Sequence, residues 1–173
     1  YLTRAMHLDP MNDEVHYYIG ICFAQEKKWE SAINAYKKAI QLDDLREEYF
    51  AALGEAFFHI EDVEGGIEMF EKATDIAPEE SEYWIRFAVQ LLASGNPATA
   101  LEVMDDACEF SVGTELQYCK VACLFACGRR NEGTYLLGEA LAEDFQLHPL
   151  MFTWAPELKE DPAVLSLLAS FAT

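Results

Sequence analysis

Apolar residues recur along this 173-residue chain at spacings of three and four, which place side chains on one face of an α-helix. Tyr36, Ala39 and Ile40 form one such group, and Phe70 and Ala73 belong to another. No stretch alternates apolar and polar residues between hairpin turns, so the pattern predicts no β-sheet. The sequence therefore predicts an all-α protein.

The helical pattern is periodic, since 34 residues separate Gly20 from Gly54 and Gly54 from Ala88. One copy of the pattern contains Phe50, Leu53, Gly54, Phe57, Gly66, Phe70, Ala73 and Pro78. Matching copies contain His16, Ile19, Gly20, Phe23, Ala32, Tyr36, Ala39 and Asp44, then Trp84, Phe87, Ala88, Leu91, Ala100, Met104 and Ala107. A fourth copy contains Tyr118, Val121, Ala122 and Phe125, with Gly133, Leu137 and Ala140 one residue early. A fixed period of this length predicts stacked repeats that bury apolar faces against one another.

The order of small and large residues in these copies resembles the tetratricopeptide repeat family. The resemblance covers about residues 12–147. Asp44 and Val112 stand where the family usually has proline, and His16 replaces the usual tryptophan. The resemblance implies an all-α, right-handed superhelical solenoid of antiparallel helix pairs with a C-terminal helical cap. It also implies a surface that binds proteins rather than an enzyme.

The repeat boundaries predict three parts of the chain. Residues 1–11 are predicted to be the second helix of an incomplete repeat, which leads us to expect a fragment or a trimmed chain. Residues 12–147 are predicted to form four complete repeats at about 12–46, 47–80, 81–114 and 115–147. Residues 148–173 break the period and are predicted to form a cap, with a docking motif as the alternative. This tail resembles those of some bacterial members of the family.

Small residues recur where the two helices of a repeat must approach closely, as at Gly20 with Ala32 and Gly54 with Gly66. A glycine inside a helix costs roughly 1 kcal/mol relative to alanine, so its repeated use predicts a packing reason.

Stop and start signals separate the helices. Gly95 and Gly128 are predicted to end helices where the chain turns. Asn96 and Asp161, each followed by proline, are predicted to cap helix starts, and Thr114 is predicted to begin a capping box.

Charge narrows the range of partners. Thirty-one acidic and twelve basic residues give a net charge of −19 and a pI near 4.4. Nucleic acid is disfavoured as a partner because its phosphates are bound by clustered lysine and arginine, and an anionic membrane surface is disfavoured likewise. Acidic pairs such as Asp43–Asp44 predict a solvated face and favourable charge at helix N-termini. A dedicated site for a basic partner is the alternative.

The five cysteines lack the spacing of a disulfide framework or a zinc ribbon. Cys119, Cys123 and Cys127 form a stripe on one helix, while Cys22 and Cys108 are separate. We expect them to be packed as small apolar residues, with redox sensing and a metal site as weaker alternatives. This usage predicts a reducing, cytoplasmic location.

Signatures of catalysis are missing from the sequence. It contains no glycine-rich phosphate loop, no HExxH and no evident serine, histidine and acid combination. We therefore expect no enzymatic activity, no cofactor and no metal. The longest apolar run, residues 121–127, is too short to span a membrane.

The resemblance implies that the first helix of each repeat lines a concave groove that receives a peptide or helix. Helical phase then implies contacts from Tyr17, Ile21, Ala24, Ala51, Glu55, Phe58, His59, Ile85, Val89, Leu92, Cys119, Cys123 and Ala126. Chaperone-binding members carry lysines and asparagines on these faces. Here Tyr17, Ile21, Ala51 and Glu55 take their places, so that carboxylate clamp is absent.

The predicted surface is apolar with an acidic fringe, which suits an amphipathic protein segment with basic residues on its polar side. Two alternatives stay open. In the first, these side chains pack inside the protein's own fold. In the second, the chain is a structural spacer or a self-associating array, such as a homodimer.

Overall fold

The computed structural model describes residues 10–172, and these form helices and connecting turns with no β-strand. The α-helices are α1 (Asp13–Gln25), α2 (Trp29–Leu42), α3 (Glu47–His59), α4 (Val63–Ile76), α5 (Ser81–Ala93), α6 (Pro97–Phe110), α7 (Thr114–Ala126), α8 (Arg130–Glu143), α9 (Pro149–Trp154) and α10 (Pro162–Phe171). Short 3₁₀ helices lie at Phe145–Leu147 and Pro156–Glu160. The all-α prediction is confirmed. The helix predicted within residues 1–11 falls almost entirely outside the described residues.

The chain divides after Pro78 into two compact units. In the first unit, α1 packs on α2 and α3 on α4, while α3 also contacts α1 and α2. In the second unit, α5 packs on α6 and α7 on α8, while α7 also contacts α5 and α6. Each unit is therefore built from helix pairs whose first helices touch one another.

Each helix pair is joined by a turn with one residue in the left-handed region. Gly95 and Gly128 have φ of 79° and 74°, which confirms the predicted turn glycines. Lys27 and Glu61 hold the equivalent turns of the first unit with φ of 58° and 64°. Side chains with a Cβ adopt this conformation at a cost, so these two turns are strained.

Of the predicted helix caps, only Asp161 is confirmed. Its carboxylate accepts from the backbone N–H of Val164 at 3.2 Å. The amide of Asn96 instead donates to the carbonyl of Ser94 at 3.1 Å and makes no capping bond. The prediction of a capping box at Thr114 was wrong, because Gly113 is the N-cap residue and Thr114 is already the first residue of the helix.

Glycines make room for aromatic rings in both helix pairs of the first unit. A Cβ at Gly20 would lie 2.3 Å from the ring of Tyr36, and one at Gly54 would lie 2.8 Å from the ring of Phe70. The same Cβ at Gly54 would be 3.2 Å from the backbone oxygen of Gly66, which confirms the close approach predicted there. The aromatic rings therefore pack directly against the backbone of the neighbouring helix at these glycines.

Each unit has its own apolar core. The core of the first unit comprises Ala32, Ile33, Tyr36, Ala52, Leu53 and Ala56. The core of the second unit comprises Tyr118, Val121, Ala122, Phe125, Leu137, Ala140, Leu141, Met151, Ala155, Leu158 and Val164. Residues beyond 148 thus fold back onto α7 and α8, with Met151 and Val164 fully buried. Within residues 10–172, every helix is too short or too polar to cross a lipid bilayer.

Candidate protein-binding surfaces

The first helix of the first unit carries three predicted binding residues, Tyr17, Ile21 and Ala24, and all three are half-buried. The ring of Tyr17 lies 4.8 Å from that of Tyr49, measured between centroids, and 5.9 Å from that of Tyr36. All three residues pack against the core of this unit. Part of each side chain is therefore used internally, and the rest is accessible.

Two predicted binding residues on α3 are buried, which corrects the prediction for them. Ala51 is fully buried, and Phe58 is 8% exposed because its ring fills the space above Gly66. Neither residue is accessible to a partner while the helix pair is closed. Glu55 is half-buried and His59 is exposed, so α3 offers polar groups at this face.

The imidazole of His59 stacks on the indole of Trp29, with ring centroids 3.8 Å apart and ring planes 8° from parallel. Trp29 is the first residue of α2, and His59 is the last of α3. One face of the histidine ring is thus covered, and only its edge and other face are accessible. No pattern in the sequence indicated this contact, since Trp29 lies outside the repeated residues.

The second unit shows the same division between accessible and buried positions. Ile85, Val89 and Leu92 on α5 are half-buried, while Ala126 at the end of α7 is exposed. Cys119 and Cys123 are fully buried, so their prediction as partner contacts is corrected as well.

The buried thiols pack against each other. A hydrogen bond with Cys123, together with burial, holds the pKa of Cys119 well above its usual range. A raised pKa keeps the thiol protonated and unreactive, which agrees with a packing role. Within residues 10–172, no group of three His, Cys, Asp or Glu side chains is placed to hold a metal ion.

The structure also contains two grooves that the sequence did not predict. The unit 1 outer groove has a volume of about 490 Å³ and is lined by Lys37, Ile40, Gln41, Phe50, Leu53, Phe57, Asp62, Gly65, Glu68, Met69 and Lys72. The unit 2 outer groove has a volume of about 480 Å³ and is lined by Leu101, Asp105, Lys120, Leu124, Arg129, Asn131, Glu132, Tyr135, Leu136 and Glu139. In both, the walls are the second helices of successive pairs, and the first helix between them forms the floor.

Ion pairs border the unit 2 outer groove. Lys120 pairs with Asp105 at 2.7 Å. Arg129 pairs with Glu132 at 2.5 Å, and this hydrogen bond lowers the pKa of the Glu132 carboxyl. These cations are therefore already matched by carboxylates of the same groove.

Comparison with known proteins shows what kind of helix pair α1 and α2 form. Residues 14–44, which span α1 and α2, match the family model of the tetratricopeptide repeat. The chain contains a tetratricopeptide repeat. No curated protein matches the chain significantly.

Solved structures extend this likeness over most of the chain. One structure of the MamA protein is 19% identical, with a TM-score of 0.67 over 84% of this chain and 80% of that one. YrrB, described as a TPR protein with an unusual peptide-binding site, is 18% identical, with a TM-score of 0.64 over 98% and 90%. Yeast Tom70 is 22% identical, with a TM-score of 0.68 over 99% of this chain and 38% of that one. At these identities the likeness shows the fold alone, and the predicted tetratricopeptide fold class is confirmed.

Proposed function

We propose that this protein is a non-catalytic scaffold that binds a peptide or helical segment of a partner protein on the first helices of its repeats. The observation that carries this proposal is that apolar side chains on the first helices of each unit are partly exposed. Ile21 and Ala24 on α1 are such residues in the first unit, and Ile85 and Val89 on α5 are such residues in the second. YrrB supports a peptide ligand for this fold, since its description names a peptide-binding site.

The charge of the chain defines the kind of segment. With a net charge of −19, the protein as a whole favours basic segments over acidic ones. An amphipathic segment with basic residues on its polar side complements both the exposed apolar side chains and the negative charge of the protein. Nucleic acid and anionic membranes are repelled by the same charge. The spacing of the five cysteines is not that of a disulfide framework, which favours a reducing compartment, and a cytoplasmic location is part of the proposal.

Labelled amphipathic peptides of leucine and lysine, read by fluorescence anisotropy, test this proposal. We expect saturable binding that weakens at least about tenfold in the double variant Ile21→Lys, Val89→Lys, because each lysine places a cation among the partly exposed apolar side chains of its own unit. Asn34→Lys is the matched control, since Asn34 is exposed on α2, a second helix.

A leucine and glutamate peptide of the same pattern tests the charge selectivity: it should bind more weakly than the lysine peptide, and its binding should be the same in the double variant and in the Asn34→Lys control. Equal binding of the two peptides would overturn the basic character of the partner. Equal affinities of the double variant and the Asn34→Lys control would remove the first helices as the binding surface. Circular dichroism of each variant establishes that it is folded.

A structural spacer or self-associating array is the second candidate. Large apolar side chains exposed outside the first helices favour it: Leu45 is 74% exposed and Val112 is 93% exposed. Exposed apolar side chains are often covered in assemblies. Sedimentation equilibrium tests this candidate, and a stable dimer that dissociates in the variant Leu45→Glu, Val112→Glu would support it. A monomer at all concentrations would contradict self-association.

A further inference from the structure

We propose that the unit 1 outer groove is a second docking surface, for a protein segment that carries a large apolar side chain next to a carboxylate. This surface lies between second helices and does not depend on the first-helix surface proposed above. Its ligand has the opposite charge to that of the first-helix ligand. We therefore expect the two surfaces to bind different peptides.

The size and lining of the groove suit large apolar side chains. Its volume of about 490 Å³ falls within the range of roughly 300–1,000 Å³ found for ligand clefts. Phe57, Ile40 and Met69 are each half-buried at its surface, while Leu53 beneath them is 2% exposed. Methionine adapts its shape to irregular apolar partners. The groove lining is thus apolar, partly accessible and adaptable.

Two carboxylates of the groove are already engaged. Asp62 accepts a hydrogen bond from the backbone N–H of Gly65 at 2.9 Å and so caps α4. Glu68 pairs with Lys72 at 2.7 Å, one helical turn away. Lys72 is therefore matched by Glu68, and the Asp62 carboxylate is held at the start of α4.

Lys37 is the cation of the groove lining for which the described residues provide no carboxylate partner. Its Nζ lies 5.4 Å from the centroid of the Phe57 ring, above the apolar floor. Among the residues that the structure describes, Lys37 forms no ion pair, although acidic residues outnumber basic ones by 31 to 12 in the chain. A cation held over an aromatic ring beside an apolar cleft is complemented by a carboxylate adjoining an apolar side chain.

The unit 2 outer groove provides an internal comparison. It has nearly the same volume and is also lined by leucines, but Lys120 and Arg129 are both paired with carboxylates. No unmatched cation therefore favours an acidic segment there. The proposal is thus specific to the first unit.

The probe is an acetylated, amidated hexapeptide, Ser-Glu-Phe-Leu-Glu-Ser, titrated into ¹⁵N-labelled protein and read by amide chemical shifts. We expect shifts at Gly65 and Met69, and a glutamine-for-glutamate peptide should bind about threefold or more weakly. Lys37→Gln should weaken the binding of the glutamate peptide by a similar factor, as expected for one partly exposed ion pair. Lys38→Gln is the matched control, because Lys38 is exposed on the same helix but does not line the groove.

Three results would overturn the proposal: no shifts in the groove, equal binding of both peptides, or equal loss in the Lys37→Gln and Lys38→Gln proteins. Shifts around Leu101 and Tyr135 instead would move the site to the unit 2 outer groove. The Ile21→Lys, Val89→Lys protein should bind the hexapeptide normally. The failure of one docking surface is therefore distinguishable from the failure of the other.

Discussion

The hydroxyl of Tyr49 donates a 2.6 Å hydrogen bond to the carboxylate of Asp13, and so links the start of α3 to the start of α1. Tyr49 is fully buried, and burial together with this bond raises the pKa of its phenol. The hydrogen bond from Tyr49 is also the main cause that lowers the pKa of Asp13. The guanidinium of Arg46, 5.3 Å from the Tyr49 ring centroid, adds to that lowering. The two first helices of unit 1 are therefore joined by a charge-assisted contact.

Tyr49→Phe should destabilise the first unit by about 1–2 kcal/mol at pH 7, since hydrogen bonds to charged groups contribute on this order and the freed Asp13 carboxylate regains water. Urea unfolding, followed by circular dichroism, measures the change. Tyr18→Phe is the control, because Tyr18 is 52% exposed, and its effect should stay within about 0.5 kcal/mol. Equal stabilities of the two variants would show that the bond contributes nothing.

The pH dependence of the Tyr49→Phe effect follows from the two pKa directions. The folded pKa of Asp13 is lowered, so its contribution is present above the unfolded value near 4 and is lost as pH falls through the folded value. The folded pKa of Tyr49 is raised, so its contribution is lost as pH rises above the unfolded value near 10. The stability difference between Tyr49→Phe and wild type should therefore be largest at pH 6–8 and shrink on both sides. A constant difference from pH 3 to pH 8 would contradict this origin.

The sequence predicted the fold because the repeating order of small and large residues records the packing of each helix pair. Gly54 and Gly66 are an example, since their predicted close approach is present. Helix starts were less predictable, because a cap depends on the backbone geometry of one residue. Asp161 caps its helix, whereas Asn96 forms a different bond. The repeat boundaries and the capping role of residues 148–173 stay predictions.

The candidate site was harder to predict because helical phase gives the face of a residue and not its accessibility. Phe58 and Cys119 share the phase of accessible first-helix positions, yet one fills the space over a glycine and the other packs on a second thiol. Ile21 and Val89, chosen by the same rule, keep part of their surface. The outer grooves escaped prediction because three helices contribute to each, and no single repeat contains one.

Two glycines on α8 should respond oppositely to alanine. A Cβ at Gly133 would lie 2.7 Å from the ring of Phe125, so Gly133→Ala should cost about 1–2 kcal/mol despite its better helix propensity. No heavy atom lies within 4 Å of a Cβ at Gly138, so Gly138→Ala should stabilise by about 0.5–1 kcal/mol. Thermal unfolding of both variants provides the comparison. Stabilisation by both would mean that the Phe125 ring shifts freely.

The cysteines should differ in reactivity toward a disulfide reagent at pH 8. Cys22 and Cys108 are exposed and should react rapidly, whereas Cys127 is half-buried, with a pKa raised by burial, and should react slowly. Cys119 and Cys123 should react only after unfolding in urea, because both are buried. A Cys22→Ser, Cys108→Ser variant should lose the fast phase. Rapid labelling of Cys119 would instead revive a redox role for the cysteine stripe.

The strained turns at Lys27 and Glu61 allow the effect of backbone strain on stability to be separated from the effect of charge. Lys27→Gly and Glu61→Gly should each stabilise the protein by about 0.5–1 kcal/mol, because the left-handed conformation costs a non-glycine residue about 1–2 kcal/mol and the added freedom of glycine in the unfolded chain offsets part of the gain. Conversely, Gly95→Ala should destabilise by about 1 kcal/mol, because alanine is strained at the φ of 79° found there. A Cβ at this position would meet no atom within 4 Å, so the backbone conformation alone would cause the loss.

Urea unfolding at low and high salt measures all three turn variants. Lys27→Gly makes the net charge more negative, whereas Glu61→Gly makes it less negative. Stabilisation by both substitutions therefore identifies the backbone as the cause, because a charge effect would give opposite signs. If only Glu61→Gly stabilises, and the gain disappears at high salt, then charge repulsion in this acidic protein outweighs the strain of its turns.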